Sequence, residues 1–393
     1  MRKVIRTAAL LGASALLLAG CSSTGGDNSS SETADGGLVG TGSGDSCVIE
    51  ATVPVGAALS LTGGAASYGE SQQKGLELAL DELNAKDGVT YSLKVEDDGS
   101  DPRQAISVFE GFAGDKTSLV IGPTLSNTAF QAQPVAQEAG LPVLAISNTA
   151  AGITEQGDFI FRDSLTEGQV IPQTIGSAAE KLGLKKVVVM YSNDDAFTQS
   201  GYDVMAEALE DQGVEVLDTL TFSVKDTDFR SLLTAAKEKN PDALVVSALI
   251  EAAIPLVTQA RELGIDEPIL GGNGFNNPQL MKDAGAAAEG VIVGAAWNSA
   301  SDSPENTDFL AAFEERFGSQ PDQFAAQAYT GLQIVDHAVR ANCSGERDDV
   351  RDGLTQVKDL ATPLGSVTIN SDRDAEHAAV VQIVQDGKFA VLD

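Results

Sequence analysis

From residue 52 onward, short apolar runs alternate with longer segments whose apolar residues recur at helical spacing. Residues 53–59 and 118–121 are runs of the first kind, and residues 70–84 form a segment of the second. Such alternation is typical of a parallel sheet with right-handed crossover helices. The pattern restarts after residues 159–165, so the sequence predicts an α/β fold with two similar lobes.

Two polar turns follow neighbouring predicted strands. In the first turn, Gly122 and Pro123 end an apolar run, and Ser126 stands where a helix N-cap is expected. The second turn lies in residues 144–154, LAISNTAAGIT. Helix N-termini favour anions, and the carboxyl ends of parallel strands are common ligand sites. The pair of turns therefore predicts a binding site for a small anion, with ordinary capped turns as the alternative.

Length and charge restrict the class of protein. The 393 residues exceed one small core and fit two domains, and the hydrophobic content of 42% is that of a globular protein. With 25 basic and 57 acidic residues, the net charge is −32. This charge argues against nucleic acid or an anionic membrane surface as a partner.

The N-terminus has the features of an export signal. The basic start MRKVIR precedes an apolar run over residues 7–18, and Leu-Ala-Gly-Cys closes it at Cys21. This resembles the lipobox of bacterial lipoproteins, in which the cysteine is acylated and begins the mature chain. A plain transmembrane anchor is the alternative, but it needs about 20 apolar residues. We predict a signal peptide at residues 1–20, lipidation of Cys21 and a flexible Ser/Gly linker over residues 21–46.

The two remaining cysteines, Cys47 and Cys343, predict one disulfide, because an exported chain meets an oxidising compartment. Two separate buried thiols are the alternative.

Residue patterns of known catalytic and metal sites are absent from the sequence. The two histidines, His337 and His377, have no partners at metal-ligand spacing, and neither a nucleophile elbow nor a P-loop occurs. The stretch nearest to a dinucleotide fingerprint, residues 272–277, lacks the third glycine. We therefore predict a binding protein without catalytic residues, metal or cofactor, rather than an enzyme.

Five stretches, in chain order, resemble one protein family. They are ALSLTGGAASYGESQQKGLELALDELNAKDG, DDGSDPRQA, VIGPTLSNTA, YSNDDAFTQSGY and LGGNGFNNPQL. Together they resemble the branched-chain amino acid-binding proteins of bacterial ABC importers, from about Val53 to the C-terminus. The resemblance implies a type I periplasmic-binding-protein fold, with three crossover strands joining two lobes that close on a ligand. We assign residues 47–164 and about 298–375 to lobe 1, and residues 165–297 and about 376–393 to lobe 2.

The resemblance also implies a ligand site. In it, Ser126 takes the ligand carboxylate and Thr149 contacts both ends of the ligand. The Ser147 carbonyl helps to hold the ammonium group, Tyr68 reaches in from the first loop, and Phe197 forms an aromatic wall in lobe 2.

One position departs from the family pattern. The acidic residue that binds the ammonium group is Asn273 here, and an asparagine accepts hydrogen bonds without bringing charge. Either a carboxylate on a nearby loop compensates, with Glu251, Asp194 and Asp195 as candidates, or the ligand has no α-ammonium group.

These inferences combine into a functional expectation. We expect an exported, monomeric receptor, lipid-anchored to the outer face of the cytoplasmic membrane and otherwise soluble. It would deliver an apolar or branched-chain amino acid, or a similar small carboxylate, to an ABC permease and its ATPase. The alternatives are a receptor of the same fold for an amide, urea or aromatic carboxylate, and a sensory module that binds a partner.

Overall fold

The computed structural model describes residues 37–392. Cys21, the predicted signal peptide at residues 1–20 and most of the predicted linker therefore lie outside the described residues. The described residues belong to one compact unit, which contains two lobes, each built on its own sheet.

Lobe 1 contains a sheet of five parallel strands. They are β1 (Val53–Leu59), β2 (Tyr91–Asp97), β3 (Leu119–Ile121), β4 (Val143–Ala145) and β5 (Ile160–Arg162). The order in the sheet is β2–β1–β3–β4–β5. Helices α1 (Ala66–Asn84), α2 (Pro102–Gly114) and α3 (Ser126–Glu138) connect the first four strands. Strands β3 and β4 are buried along their whole length, which explains their unbroken apolar sequences.

Lobe 2 repeats this alternation. Its first helices and strands are α4 (Glu167–Leu182), β6 (Lys186–Ser192), α5 (Ala196–Asp211), β7 (Glu215–Phe222), α6 (Arg230–Glu238), β8 (Ala243–Ser247), α7 (Ile250–Glu262), β9 (Ile269–Gly271), α8 (Gln279–Ala284) and β10 (Ile292–Ala295). All five of these strands are parallel to their neighbours among them.

The C-terminal part of the chain contributes to both lobes. It comprises α9 (Pro304–Phe317), α10 (Gln323–Asn342), α11 (Arg347–Leu354), β11 (Leu360–Thr362), β12 (Gly365–Ile369), β13 (Ala375–Glu376), β14 (Val380–Gln385) and β15 (Lys388–Val391). Strands β14 and β15 extend the lobe 2 sheet, whose order is β15–β14–β10–β9–β8–β6–β7. Residues from α9 to β13 share a hydrophobic core with β1 and α1 of lobe 1.

The chain thus passes between the lobes three times, at residues 163–166, 296–303 and 377–379. We call these three segments the hinge. Within the described part of the chain, every helix is too short or too polar to cross a bilayer.

The folded part begins before residue 47, inside the segment predicted to be a flexible linker. The Gly40 amide donates to the Cys343 carbonyl over 2.8 Å, and Thr41 pairs with Val48. Cys47 and Cys343, which are 296 positions apart in the sequence, form a disulfide with their Cα atoms 5.3 Å apart.

The observed elements differ from the predicted ones in places. Helix α1 begins at residue 66 rather than 70. Helix α5 begins at residue 196, where Asp195 caps it by accepting from the Thr198 amide (3.1 Å). Helix α11 was missed because its core face consists of little more than Val350 and Leu354 in an otherwise charged sequence. Strand β5 shows in the sequence only as a change of pattern, because its apolar residues stop at Phe161 and the buried Arg162 ends the strand.

Candidate ligand site

The first polar turn places Ser126 at the start of α3. Ser126 is the first helical residue, and the preceding Leu125 occupies the N-cap without a side-chain hydrogen bond. The predicted N-cap role of Ser126 is therefore wrong. Its buried hydroxyl instead accepts a long hydrogen bond from the Ala150 amide in the second turn (3.4 Å). The two turns meet because β3 and β4 are adjacent parallel strands.

The second turn contains Ser147 and Thr149. The Ser147 hydroxyl accepts from the Gln72 side chain (2.7 Å) and donates to the Thr124 carbonyl (2.6 Å), so it ties the two turns together. Thr149 is buried, and its hydroxyl has no hydrogen-bond partner among residues 37–392. Gln72 on α1 was not predicted, since a glutamine within a helix carries no sign in the sequence that it supports a distant turn.

Tyr68 bridges the lobes. It belongs to α1 in lobe 1, yet its hydroxyl donates to the Gly274 carbonyl (2.7 Å) and accepts from the Ile250 amide (2.8 Å) in lobe 2. Its ring packs against Phe324, with ring centroids 4.3 Å apart. Burial raises the pKa of Tyr68 far above its usual value, so the phenol keeps its proton and remains a donor.

Phe197 and Asn273 lie on the lobe 2 side of the cleft. Phe197, on α5, is buried beside the turn that follows β9: a Cβ added to Gly274 would lie 3.1 Å from its ring. Asn273 is buried in the same turn, and its amide nitrogen donates to Oε1 of Glu167 over 2.8 Å.

Glu167 is the residue that the sequence analysis missed. It is the first residue of α4, 1% exposed, and its Oε2 has no hydrogen-bond partner in the described part of the chain. Burial raises the pKa of Glu167, whereas Asn273, the nearby Thr149 hydroxyl and the positive charge of Arg162 act to lower it. The Thr149 hydroxyl is close enough for this effect without forming a well-aligned hydrogen bond.

The three acidic residues considered as compensation for Asn273 lie elsewhere or have other partners. Glu251 is exposed on α7, against Gly64 of lobe 1, where it lines an interlobe cavity of about 740 Å³. Asp194 accepts from the Ser223 hydroxyl (2.6 Å), and Asp195 caps α5. The carboxylate that contacts Asn273 is that of Glu167, not one of these three.

Two α/β lobes joined by three chain crossings, with buried hydroxyls and a buried carboxylate where they meet, have the architecture of a receptor for a small solute. A family model described as "Periplasmic binding protein" matches residues 52–388, and the chain belongs to that family.

Comparisons with individual proteins support the same family. The chain is 24% identical over 333 residues to the leucine-, isoleucine-, valine-, threonine- and alanine-binding protein of Pseudomonas aeruginosa, covering 83% of this chain and 88% of that one. Its structure is similar to LivJ of Streptococcus pneumoniae in complex with isoleucine, with TM-score 0.82, 30% identity and coverage of 86% and 98%. It also resembles a solute-binding protein of R. palustris in complex with benzoate, with TM-score 0.80, 25% identity and coverage of 87% and 96%. The predicted fold, family and class, a solute-binding protein of ABC transporters, are confirmed.

Proposed function

We propose that the cleft binds an α-amino acid with an apolar side chain, and that Glu167 holds its ammonium group. The observation that carries the proposal is the buried Glu167 carboxylate, with Oε1 taken by Asn273 and Oε2 without a partner. A buried carboxylate needs a counter-charge or a proton. A ligand ammonium group next to Thr149 would supply that counter-charge.

The carboxylate end of the ligand is assigned to lobe 1. Ser126 and Thr149 bring buried hydroxyls to the turns, and the first-turn amides of α3 add the positive end of a helix dipole. Phe197 of lobe 2 and the Tyr68 ring then form walls for an apolar side chain, and the Ser147 carbonyl stays assigned to the ammonium end. The isoleucine in the LivJ complex, at 30% identity, supports this ligand class.

An aromatic carboxylate is the second candidate. Asn273 brings no charge, and the R. palustris relative binds benzoate. For such a ligand, Glu167 would stay protonated, as its raised pKa allows.

A thermal-shift screen with matched pairs separates the two ligand classes. Isoleucine is compared with 3-methylpentanoate and phenylalanine with 3-phenylpropanoate, each of which lacks only the ammonium group, and benzoate is screened beside them. A ligand at 100 times its Kd stabilises the folded state by about 2.7 kcal/mol. The proposal expects a shift with isoleucine and little with 3-methylpentanoate. If only benzoate and 3-methylpentanoate shift the melting temperature, the ligand is a carboxylate without an ammonium group and not an amino acid.

Replacing Ser126 by Ala tests the carboxylate end. We expect isoleucine affinity to fall by about 1–3 kcal/mol, since a buried hydroxyl would no longer donate to a charged oxygen. Isothermal titration calorimetry measures the change. The matched control is Ser118→Ala, because Ser118 is also a buried serine of lobe 1 but lies just before β3, at the opposite end of the strand from the turn. Equal Kd values for the two variants would show that Ser126 does not contact the ligand.

Replacing Tyr68 by Phe tests lobe closure. The variant keeps the ring but leaves the Ile250 amide and the Gly274 carbonyl without their shared partner, which disfavours the closed form. We expect affinity to fall by about 1–3 kcal/mol. Tyr202→Phe is the control, since the Tyr202 ring stacks on Tyr191 within lobe 2. If small-angle scattering and Kd are the same for both variants, Tyr68 does not hold the lobes together.

The cellular setting completes the proposal. The protein is exported, anchored through lipid on Cys21, and works as a monomer that presents its closed form to an ABC permease and its ATPase, without catalysis of its own. Residues 47–164 and 298–375 move as one lobe, and residues 165–297 and 376–393 as the other. Replacing Cys21 by Ser is expected to move the protein from the membrane fraction to the soluble fraction. Unchanged membrane association of this variant would contradict lipid anchoring.

A further inference from the structure

The ligand-binding turn is held from behind by the segment that leaves lobe 1. Three successive carbonyls of the turn accept hydrogen bonds from this segment. Arg162 Nη1 donates to the carbonyls of Asn148 (2.9 Å) and Ala150 (2.8 Å), and the Glu167 amide donates to that of Thr149 (3.0 Å). These three backbone oxygens are therefore bound by residues that flank the first hinge segment.

Two amides of the same turn donate to serine hydroxyls. The Ala150 amide donates to the Ser126 hydroxyl (3.4 Å), and the Ala151 amide donates to the Ser200 hydroxyl of lobe 2 (3.0 Å). With its carbonyls bound by Arg162 and the Glu167 amide, the turn keeps the orientation in which the Thr149 hydroxyl lies near the Glu167 carboxylate. The orientation of the turn thus depends on Arg162.

Arg162 is in turn fixed by a residue of the C-terminal part of the chain. Its Nε donates to Oδ1 of Asp374 over 2.7 Å, and the two side chains are 2% and 21% exposed. Asp374 lies just before β13, which leads into the third hinge segment. Two further hydrogen bonds join the same parts of the chain, from the Arg162 amide to the Arg373 carbonyl (3.0 Å) and from the Gln169 side chain to the Ala375 carbonyl (2.9 Å).

We propose that Arg162 is a positioning residue that couples the ligand-binding turn to the hinge through Asp374. Asp374 forms no hydrogen bond with Ser126, Thr149 or Tyr68 in the described part of the chain, yet it fixes the guanidinium that orients the turn. This inference rests on the proposed function, because it takes Thr149 as a ligand contact. It predicts that ligand affinity depends on a carboxylate outside the cleft.

A double-mutant cycle tests the coupling. Isoleucine and benzoate are titrated into the wild type, Asp374→Asn, Thr149→Ala and the double variant. We expect Asp374→Asn to weaken binding of the preferred probe about fivefold or more, and the two effects to be non-additive, as for residues of one hydrogen-bond network. Asp158→Asn is the matched control, since Asp158 is a lobe 1 carboxylate that pairs with Arg351 instead. Denaturant unfolding checks that Asp374→Asn remains folded.

A pH profile provides a readout that a merely structural role would not move. Arg162→Gln removes the positive charge that lowers the pKa of Glu167. Glu167 would then take up its proton at a higher pH, so isoleucine affinity should begin to fall at a higher pH than in the wild type. Arg162→Lys keeps the charge and should retain the wild-type profile.

The outcomes separate this inference from the proposed function. If Thr149→Ala weakens binding while Asp374→Asn behaves like Asp158→Asn, the positioning role is overturned and the site stands. If Thr149→Ala and Asp374→Asn both bind as the wild type does, the site itself is wrong. Failure of the wild type to bind either probe overturns both.

Discussion

Replacing Glu167 by Gln is expected to weaken isoleucine binding by about 2–5 kcal/mol, the range for truncating one partner of a buried, hydrogen-bonded charge pair. The amide can still accept from Asn273 but carries no charge to balance a ligand ammonium group. Calorimetric titration of the wild type and the variant at neutral pH measures the loss. Glu180→Gln is the control, because it makes the same change at an exposed position of α4.

The same carboxylate sets a pH dependence. Burial raises the pKa of Glu167, so the group takes up a proton at a higher pH than an exposed glutamate does. Isoleucine affinity should therefore fall as the pH is lowered through the pKa of folded Glu167, and the Gln variant should lack this dependence. An aromatic carboxylate would behave in the opposite way, binding more tightly as Glu167 becomes neutral.

The stability of ligand-free Glu167→Gln shows whether weaker binding comes from the lost carboxylate or from a less stable fold. A raised carboxyl pKa favours folding below the unfolded-state pKa, and this advantage disappears as the pH rises through the folded-state pKa. The change that Glu167→Gln makes in the unfolding midpoint should therefore be more stabilising at neutral pH than at pH 4. A variant with wild-type isoleucine affinity, or one destabilised at neutral pH, would contradict the role given to Glu167.

Replacing both Cys47 and Cys343 by Ser is expected to lower the free energy of unfolding by about 5–6 kcal/mol in the chain-entropy model. The disulfide closes a loop between residues 296 positions apart, so it strongly restricts the unfolded chain. Urea unfolding of the double variant and of the oxidised wild type measures the difference.

The disulfide prediction has its own control. The bridge joins the N-terminal segment to the end of α10, away from Ser126 and Thr149, so the folded variant should bind isoleucine as the wild type does. The reduced wild type should unfold like the double variant. Equal unfolding midpoints with and without a reductant would show that the bridge does not form or does not stabilise.

The fold was predictable because its strands are buried on both faces. Contiguous apolar sequences such as those of β3 and β8, bounded by helices of ordinary length, leave few alternatives to a parallel α/β sheet. The same reasoning brought Ser126 and Thr149 together, since both follow the carboxyl ends of adjacent strands. The sequence pattern thus predicts which residues lie close together when they follow strands that are neighbours in the sheet.

Glu167 and Arg162 were not predictable in this way. A glutamate in the first turn of a helix, after Thr166 as N-cap, has the pattern of an exposed capping residue. Its burial arises because Gly201, Gly272 and Asn273, which come from later segments of the chain, surround its carboxylate. Arg162 is also fully buried, and its partners Asn148, Ala150 and Asp374 come from segments far apart in the chain. Such contacts depend on tertiary packing between elements, which periodicity does not encode.

A crystal structure of the protein grown with isoleucine tests the central claim most directly. We predict that the isoleucine carboxylate lies within hydrogen-bond distance of Ser126 and Thr149, with its ammonium group on the Glu167 carboxylate and the lobes closed through Tyr68. Isoleucine bound with its ammonium group away from Glu167, or a cleft that leaves isoleucine out, would contradict the account.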